Sequence, residues 1–383
     1  MNTKITYLDN NATTRPDERV VAALLPMLTE FYANPSSSHQ FGAQAAAQVE
    51  AAREQVAALI GARDSEIVFT SGGTEADNLA LRGVLAADPR KRHLIVTTVE
   101  HHAIIETAEQ LEHEGYAVTH LPVDTHGRLD LAAVAAAIRA DTALISLMLA
   151  NNETGVIFPV REVCEVARQR GVPVHTDAVN ALGKIPVKVD ELGVALLSLS
   201  AHKIYGPKGV GALYVRRGTP LVPCQRGGTQ ERKRRGGTLN APGIVGLGMA
   251  CQLLREQEPA VYARIAALRE RLETELHRQF PSALVMGSEA PRLPNTCCVC
   301  FPGIPSEPLV ILLSEAGICV STGAACASGS LEPSHVLRGM GIDPQIAQGE
   351  IRISLGRFNA DADLERLFDV LPAALRKVAA TVG

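Results

Sequence analysis

Lys203 stands in a stretch where an amine could do covalent chemistry. The run Val194–Leu197 is apolar, and Ser198–Pro207 continues it with small and polar residues that end in Gly206 and Pro207. A lysine between an apolar strand and such a turn can be held in a cleft, where desolvation lowers its pKa and frees the amine to attack a carbonyl. For a single lysine, a solvated position at the end of a strand is the commoner outcome, so the rest of the chain has to decide.

The turn at Gly72-Gly73-Thr74 is a candidate phosphate site. The sequence pattern predicts a strand before this turn, at Glu66–Thr70, and a helix after it, at Thr74–Leu85. Backbone N–H groups at a helix N-terminus bind phosphate, and glycine lets it approach closely. A plain strand–turn–helix connection explains the pattern equally well. The spacing of a nucleotide P-loop is absent.

Two further polar residues follow predicted strands. Asp177 comes after Val172–His175, and a semi-buried carboxylate there needs a cationic partner, for example a protonated pyridine nitrogen. His101 comes after His93–Thr98, where an imidazole can stack on a flat ring or move protons. Taken singly, a helix cap or salt bridge explains Asp177, and an ordinary loop position explains His101.

Cys326 lies among small residues, in the run Ser321–Ser330. Without bulky side chains to anchor it, this run predicts a mobile loop with an accessible thiol. Cys297, Cys298 and Cys300 instead fall on a predicted strand and should divide between its two faces. No metal site is predicted, because neither a second ligand set nor an H-E-x-x-H motif accompanies them.

These residues fall within an alternation of strands and helices. Strands are predicted at Glu66–Thr70, His93–Thr98, Ala117–Val123, Ala143–Leu149, Val172–His175, Ala195–Ser198 and Gly211–Val215. Helices are predicted at Pro16–Glu30, Ala43–Ile60, Thr74–Leu85, Ile104–Glu114, Leu129–Arg139 and Val160–Arg170. The alternation predicts a mostly parallel sheet covered on both faces, with ligands at the carboxyl ends of its strands. A helix from Pro242 to Phe280 then leads into a second α/β unit.

The composition limits which classes of protein this chain can belong to. The 383 residues are 46% apolar and 20% charged, as expected for a globular chain with a large core. The net charge of −4 opposes non-specific nucleic-acid binding. No signal peptide or membrane span is predicted, and eight cysteines in such a chain indicate reduced thiols in the cytoplasm.

Motifs along nearly the whole chain resemble the NifS/IscS-type cysteine desulfurases, in the class V branch of fold-type I pyridoxal-phosphate enzymes. They are Tyr7-Leu8-Asp9-Asn10-Asn11-Ala12-Thr13-Thr14, Asn34-Pro35-Ser36-Ser37, Asn151-Asn152-Glu153-Thr154-Gly155, His202-Lys203-Ile204-Tyr205-Gly206-Pro207-Lys208-Gly209, Ser330-Leu331-Glu332-Pro333-Ser334 and Ser354-Leu355-Gly356-Arg357-Phe358. Arg226-Gly227-Gly228 and Gln230-Glu231-Arg232 are most similar to the nitrogen-fixation (NifS) branch. The resemblance implies an α/β fold with a seven-stranded, mostly parallel sheet in a large domain of residues 15–258. Residues 1–14 and 259–383 would form the small domain, which carries the mobile cysteine loop.

The resemblance also implies roles around pyridoxal 5'-phosphate. Lys203 would form the Schiff base and shuttle protons, Asp177 would pair with the pyridinium nitrogen, and His101 would stack on the ring. The residues implied to hold the phosphate are Gly73, Thr74, Ser200, His202 and, from the partner subunit of a homodimer, Thr238. Asn152 and Asn180 would face the ring hydroxyl.

The same resemblance implies the substrate and the partners. L-Cysteine would be held by Asn34, Asn152 and Arg357, the last through a bidentate contact with the substrate carboxylate. Cys326 would attack the substrate sulfur and become a persulfide, releasing L-alanine, and the sulfur would pass to an iron–sulfur scaffold, for nitrogenase maturation or for general cluster assembly.

The chain departs from the family pattern at Asn180, Thr229, Ala201 and Ala324, where glutamine, histidine, glycine and serine are expected. These changes concern rate and partner choice more than reaction class. The alternatives left open are a selenocysteine lyase, a small-molecule class V aminotransferase, which would not need Cys326, and a sulfur-relay or scaffold-binding protein without catalysis.

Overall fold

The computed structural model describes residues 5–323 and 333–382, and the following account concerns those residues. None of their helices combines the length and the apolar character that crossing a membrane requires. The strands are β1 Thr6–Tyr7, β2 Ile67–Thr70, β3 His93–Thr97, β4 Ala117–Leu121, β5 Thr142–Met148, β6 Val174–Asp177, β7 Leu196–Ser200, β8 Gly211–Val215, β9 Leu284–Val285, β10 Thr296–Cys300, β11 Ile318–Cys319 and β12 Glu350–Ser354.

The helices alternate with these strands over the first part of the chain. They are α1 Glu18–Leu24, α2 Pro26–Thr29, α3 Gln40–Ile60, α4 Gly73–Leu85, α5 His102–His113, α6 Leu131–Ala137, α7 Val160–Arg168, α8 Val189–Leu192, α9 Ala241–Gln279, α10 Ser306–Glu315, α11 His335–Gly339, α12 Pro344–Ala347 and α13 Asp361–Val382. The single helix predicted at Pro16–Glu30 is wrong, because the chain forms α1 and α2 instead. Pro26 starts the second helix, since proline has no N–H for an interior helical bond but is tolerated at the first position.

The predicted seven-stranded, mostly parallel sheet is confirmed. Its strand order is β2-β8-β7-β6-β5-β3-β4, and β8 runs antiparallel to both of its neighbours. Strand residues alternate between two apolar clusters, as a sheet covered on both faces requires. Ile67 and Phe69 join the cluster that contains residues of α3 and α9, whereas Val68 joins the cluster on the α4 side.

Two smaller sheets lie in the second part of the chain. β1 pairs in parallel with β11, and β10 is the middle strand of the antiparallel sheet β12-β10-β9. The predicted division of the cysteines on β10 is confirmed: Cys297 packs in a cluster with α13, and Cys298 and Cys300 pack in the cluster of the large sheet. The domain boundaries at residues 14 and 258 stay a prediction.

Candidate active site

The N-terminus of α4 forms one wall of a cavity of about 400 Å³ at the carboxyl ends of the parallel strands. A Cβ on Gly73 would lie only 2.7 Å from Cγ2 of Val179, so the close approach of these two segments requires glycine. The helix has 13 residues, and its N-cap residue, Gly72, brings no side chain to the first N–H groups. Ser200 and His202 line the same cavity, so this wall fits a phosphate.

Lys203 lines the same cavity, at the end of the short 3-10 helix Ala201–Lys203 that follows β7. The side chain is half-buried, and its Nζ donates a hydrogen bond to the carbonyl oxygen of Asn11. Asn11 belongs to the N-terminal segment, so the lysine is held between this segment and the sheet. This arrangement supports the cleft position over the solvated one.

Two buried carboxyl groups form the floor of the cavity. Asp177 ends β6 and accepts a 2.8 Å hydrogen bond from the N–H of Val179. Burial raises the pKa of Asp177 to about 6, although the Val179 N–H and the Lys203 ammonium act in the opposite direction. Asp77 of α4 is 1% exposed, and its Oδ1 has no hydrogen-bond partner within the described residues. A floor of this kind fits a cationic ring nitrogen, whose charge the Asp177 carboxylate would balance.

His101 caps the N-terminus of α5, where its Nδ1 accepts a 3.1 Å hydrogen bond from the N–H of Ala103. Burial, with the Lys203 ammonium as the next largest cause, lowers the pKa of His101 to about 4. The imidazole is therefore neutral at physiological pH, with its proton on Nε2. A neutral ring at this wall can stack on a planar ligand.

Most of the predicted site residues meet in this cavity. Those that line it are Gly73, Thr74, His101, Asn152, Asp177, Asn180, Ser200, His202 and Lys203. Asn152 also brings an amide oxygen, Oδ1, that is buried without a partner among the described residues. Together with the α4 N-terminus and the carboxyl floor, these groups fit pyridoxal 5'-phosphate.

The position of Arg357 does not support its predicted contact with a substrate carboxylate. Its guanidinium forms an ion pair with Asp17 and lies 4.0 Å from the ring centre of Tyr205, away from the cavity lining. Arg352 lines the cavity instead. Because Arg357 already has a buried carboxylate partner of its own, Arg352 has the more suitable position for this contact.

Three other predicted residues lie elsewhere. Thr238 lines a small separate pocket beside Ser71 and Arg235. Asn34 is exposed, and its Oδ1 accepts a 2.9 Å hydrogen bond from the N–H of Ser36. Cys326 lies outside the described residues.

Arg352 and Asp77 line the cavity but were not predicted from the sequence, although a local pattern indicated the position of each side chain. In Glu350-Ile351-Arg352-Ile353-Ser354 the two isoleucines point into the apolar core, so the polar residues face the other side of β12. Asp77 follows Gly73 by one helical turn and shares its face.

Among the departures from the family pattern, Asn180 lies in the cavity. Its side-chain oxygen is 3.4 Å from Nζ of Lys184, which also donates a 2.7 Å hydrogen bond to the Asn180 carbonyl. Thr229 is exposed and Ala201 is buried, while Ala324 lies outside the described residues. Of the three departures that the structure describes, the asparagine is thus the one that lines the cavity.

Comparisons with known proteins agree with this geometry. The family model "Aminotransferase class-V" matches residues 6–367. A cysteine desulfurase of Nostoc sp. is 49% identical over 98% of this chain and 94% of its own, and the cysteine desulfurase NifS of Azotobacter vinelandii is 46% identical over 97% and 94%. A solved structure of a NifS-like protein superposes with a TM-score of 0.89 at 40% identity, covering 99% of both chains. The chain therefore belongs to the class V aminotransferase family, among the NifS/IscS-type cysteine desulfurases that its motifs resemble.

Proposed function

We infer that this chain is a pyridoxal-phosphate-dependent cysteine desulfurase, which converts L-cysteine to L-alanine. Relatives that carry this name match nearly the whole chain at 46% and 49% identity, and they confirm the predicted activity and cofactor. The observation that carries the proposed mechanism is that Lys203, Asp177 and His101 share one cavity with Ser321 and Gly323, which lead directly into the segment that contains Cys326.

The residues around the cofactor have separate roles in the reaction. Pyridoxal 5'-phosphate, when bound, supplies an electron sink for the electrons freed at the substrate α-carbon. The Asp177 carboxylate keeps the ring nitrogen protonated, and His101 contributes a neutral face for stacking. Nζ of Lys203 takes the proton from the α-carbon and returns it, because a half-buried amine is poised to exchange protons.

The sulfur step belongs to Cys326. Its thiolate Sγ attacks the substrate sulfur, so that a sulfur–sulfur bond forms as the bond between that sulfur and the substrate β-carbon breaks. The electron pair of the broken bond stays with the substrate, which gains a proton and leaves as L-alanine. The enzyme retains the sulfur as a persulfide on Cys326.

Arg352 is the group that we assign to the substrate carboxylate. It is 5% exposed, it lines the cavity, and its Nε has no partner within the described residues. A guanidinium in this state can accept a carboxylate as a charge-assisted partner.

The active unit that we propose is a homodimer. Thr238 does not line the cavity of its own chain, as a residue that reaches the partner subunit's phosphate site would not. Helices α1 and α2 and the segment after them expose apolar side chains of the kind that an interface covers: Val21, Leu25, Leu28 and Tyr32.

We propose an iron–sulfur scaffold as the sulfur acceptor, because the NifS branch resembles this chain through nearly its whole length. The described cysteines are all free thiols, which supports a reducing, cytoplasmic setting.

Mass spectrometry tests the mechanism directly. The holoenzyme is incubated with L-cysteine and no reductant, and the Cys326 peptide and free alanine are measured. We expect one added sulfur on that peptide and release of alanine, both lost in Cys326→Ser and both kept in Cys224→Ser, which removes an exposed thiol elsewhere. Alanine formed without sulfur on Cys326 would indicate direct release of the chalcogen, as in a selenocysteine lyase. Unchanged turnover in Cys326→Ser would refute the mechanism.

A further inference from the structure

Two carboxyl groups lie buried behind the cavity wall, on Glu153 and Glu350. Each residue is 2% exposed, and both groups face the backbone of Gly323. A Cβ at position 323 would lie 2.4 Å from an oxygen of each carboxyl group, so only glycine fits against the pair. The pair has no part in the cofactor and substrate contacts described above.

The pair holds the residues on both sides of the segment that contains Cys326. The N–H of Gly323, just before residues 324–332, donates a hydrogen bond to Glu350. The hydroxyl of Ser334, just after them, donates to Oε2 of Glu153 and also caps α11 by accepting a 3.0 Å bond from the N–H of Val336. Gly323 and Ser334, which flank the segment 324–332 in the sequence, are thus both hydrogen-bonded to this carboxyl pair.

The described residues around the pair do not supply enough positive charge for two carboxylates. Among them, Arg352 is the cation beside the pair, and its Nη2 already bonds Oδ1 of Asp9 at 3.0 Å. From β10, the thiol of Cys298 donates to Oε1 of Glu350 at 3.3 Å, and Cys300 lies nearby. Burial raises the pKa of Glu350 to about 7, and burial together with the charge of Glu350 raises the pKa of Glu153. Near neutral pH the pair therefore retains a proton.

We propose that Glu153 and Glu350 are positioning residues that share a proton and thereby hold Gly323 and Ser334, the two flanks of the Cys326 segment. Ionisation of both groups places two like charges against each other in a buried site, which favours release of the flanks to a state in which water reaches the carboxylates. The proton on this pair thus controls how firmly Gly323 and Ser334 are held against the two glutamates. This inference rests on the proposed role of Cys326.

Proton linkage gives the direction of the effect. The held state binds the proton more tightly than the released state, in which a glutamate has its ordinary pKa. Gly323 and Ser334 are therefore held most firmly below the ordinary carboxyl pKa, and this stabilisation is lost as the pH rises through about 7. Linkage of one proton corresponds to a decrease of up to about tenfold per pH unit within this window.

Hydrogen exchange of the holoenzyme measures this directly. Peptides that cover residues 321–336 are followed by mass spectrometry between pH 5 and pH 8, after correction for the intrinsic exchange rate. In the wild type we expect protection of the flanks to fall by about tenfold or more from pH 5 to pH 7. Glu153→Gln combined with Glu350→Gln keeps neutral acceptors for Ser334 and Gly323 and leaves no carboxyl group in the pair to ionise, so protection should change less than about twofold over the same range. Glu350→Ala removes the acceptor and should lower protection at every pH.

Two further measurements separate this inference from the proposed function. Glu315→Gln makes the same substitution on the exposed end of α10 and should retain the wild-type pH profile. The rate at which Cys326 gains sulfur is measured over the same pH range, with cofactor absorbance and thermal unfolding as checks on folding. If wild-type Cys326 gains no sulfur, the proposed function fails. If it gains sulfur but the double variant Glu153→Gln/Glu350→Gln shows the wild-type pH dependence of exchange, only the role of the pair is refuted.

Discussion

Substitution of Arg352 provides a sharp test of the substrate site, because two arginines in the same stretch of sequence compete for the role. Arg352→Lys retains a positive charge next to Asp9 but replaces the planar guanidinium with a point charge. Arg352→Gln removes the charge. Arg357→Gln is the matched control, since Arg357 lies five residues later and is paired with Asp17.

The expected size of the effect follows from the contacts of the guanidinium. Of its five N–H donors, one on Nη1 bonds the Asn152 carbonyl at 3.1 Å and one on Nη2 bonds Asp9 at 3.0 Å, which leaves three donors, including Nε–H, for a ligand. A hydrogen bond to a charged group contributes about 1.5–3 kcal/mol, and about 1.4 kcal/mol corresponds to a factor of ten. We therefore expect the KM for L-cysteine to rise about tenfold in Arg352→Lys and about 100-fold in Arg352→Gln.

The assay is alanine release as a function of L-cysteine concentration, with cofactor absorbance and chemical denaturation recorded for each variant. Arg357→Gln should lower the free energy of unfolding by about 1–3 kcal/mol through the lost ion pair with Asp17, and it should leave KM within about twofold. If Arg357→Gln raises KM tenfold while Arg352→Gln does not, the reasoning from the cavity geometry is refuted.

Two more predictions concern the cofactor floor and the fold. Since burial raises the pKa of Asp177 to about 6, the carboxylate is lost as the pH falls through that value; the affinity of the apoenzyme for pyridoxal 5'-phosphate should then drop by up to about tenfold per pH unit, and an absorbance titration of Asp177→Asn should lack this contribution. Arg53 forms a buried bidentate ion pair with Glu231, with both distances 2.8 Å. Arg53→Met should reduce the free energy of unfolding by about 3–5 kcal/mol in denaturant titrations, and adding Glu231→Leu should recover part of that loss, because it removes the unpaired buried carboxylate. A double variant less stable than the single one would contradict this account.

The sequence was most informative where periodicity and turn chemistry coincide. The strands of the large sheet were predicted with their ends displaced by at most two residues, since short β-branched runs between helical patterns leave few alternatives. Asp177 shows the limit of that precision: it was expected after its strand and is the last residue within it. Pro26, by contrast, marked a helix start that the apolar pattern around it concealed.

The features that the sequence did not reveal depend on contacts between distant segments. Arg352 and Arg357 both look suited to bind a carboxylate, and only the packing shows that Asp17, far away in the chain, engages the second. The same is true of Glu153 and Glu350, which meet only because the turn after β5 reaches the start of β12. Local sequence patterns define elements and their faces, but the pairing of charges across the fold is a tertiary property.

The charges around the cavity explain why this fold tolerates an arrangement that an ordinary core would avoid. Asp77, Glu100 and Asp177 are all buried beneath it, and burial raises the pKa of each of the three carboxyl groups. Lys203 is a cation on the cavity side, and it is itself held by a backbone carbonyl. Such a floor is unfavourable without a ligand, and a ring with a protonated nitrogen satisfies it, so binding of the cofactor contributes to folding stability as well as to chemistry. Ligand at 100 times its dissociation constant stabilises a protein by about 2.7 kcal/mol, which is a sizeable part of the stability of a typical domain. The free energy that the buried carboxyl groups cost the unliganded protein is thus recovered when the cofactor binds.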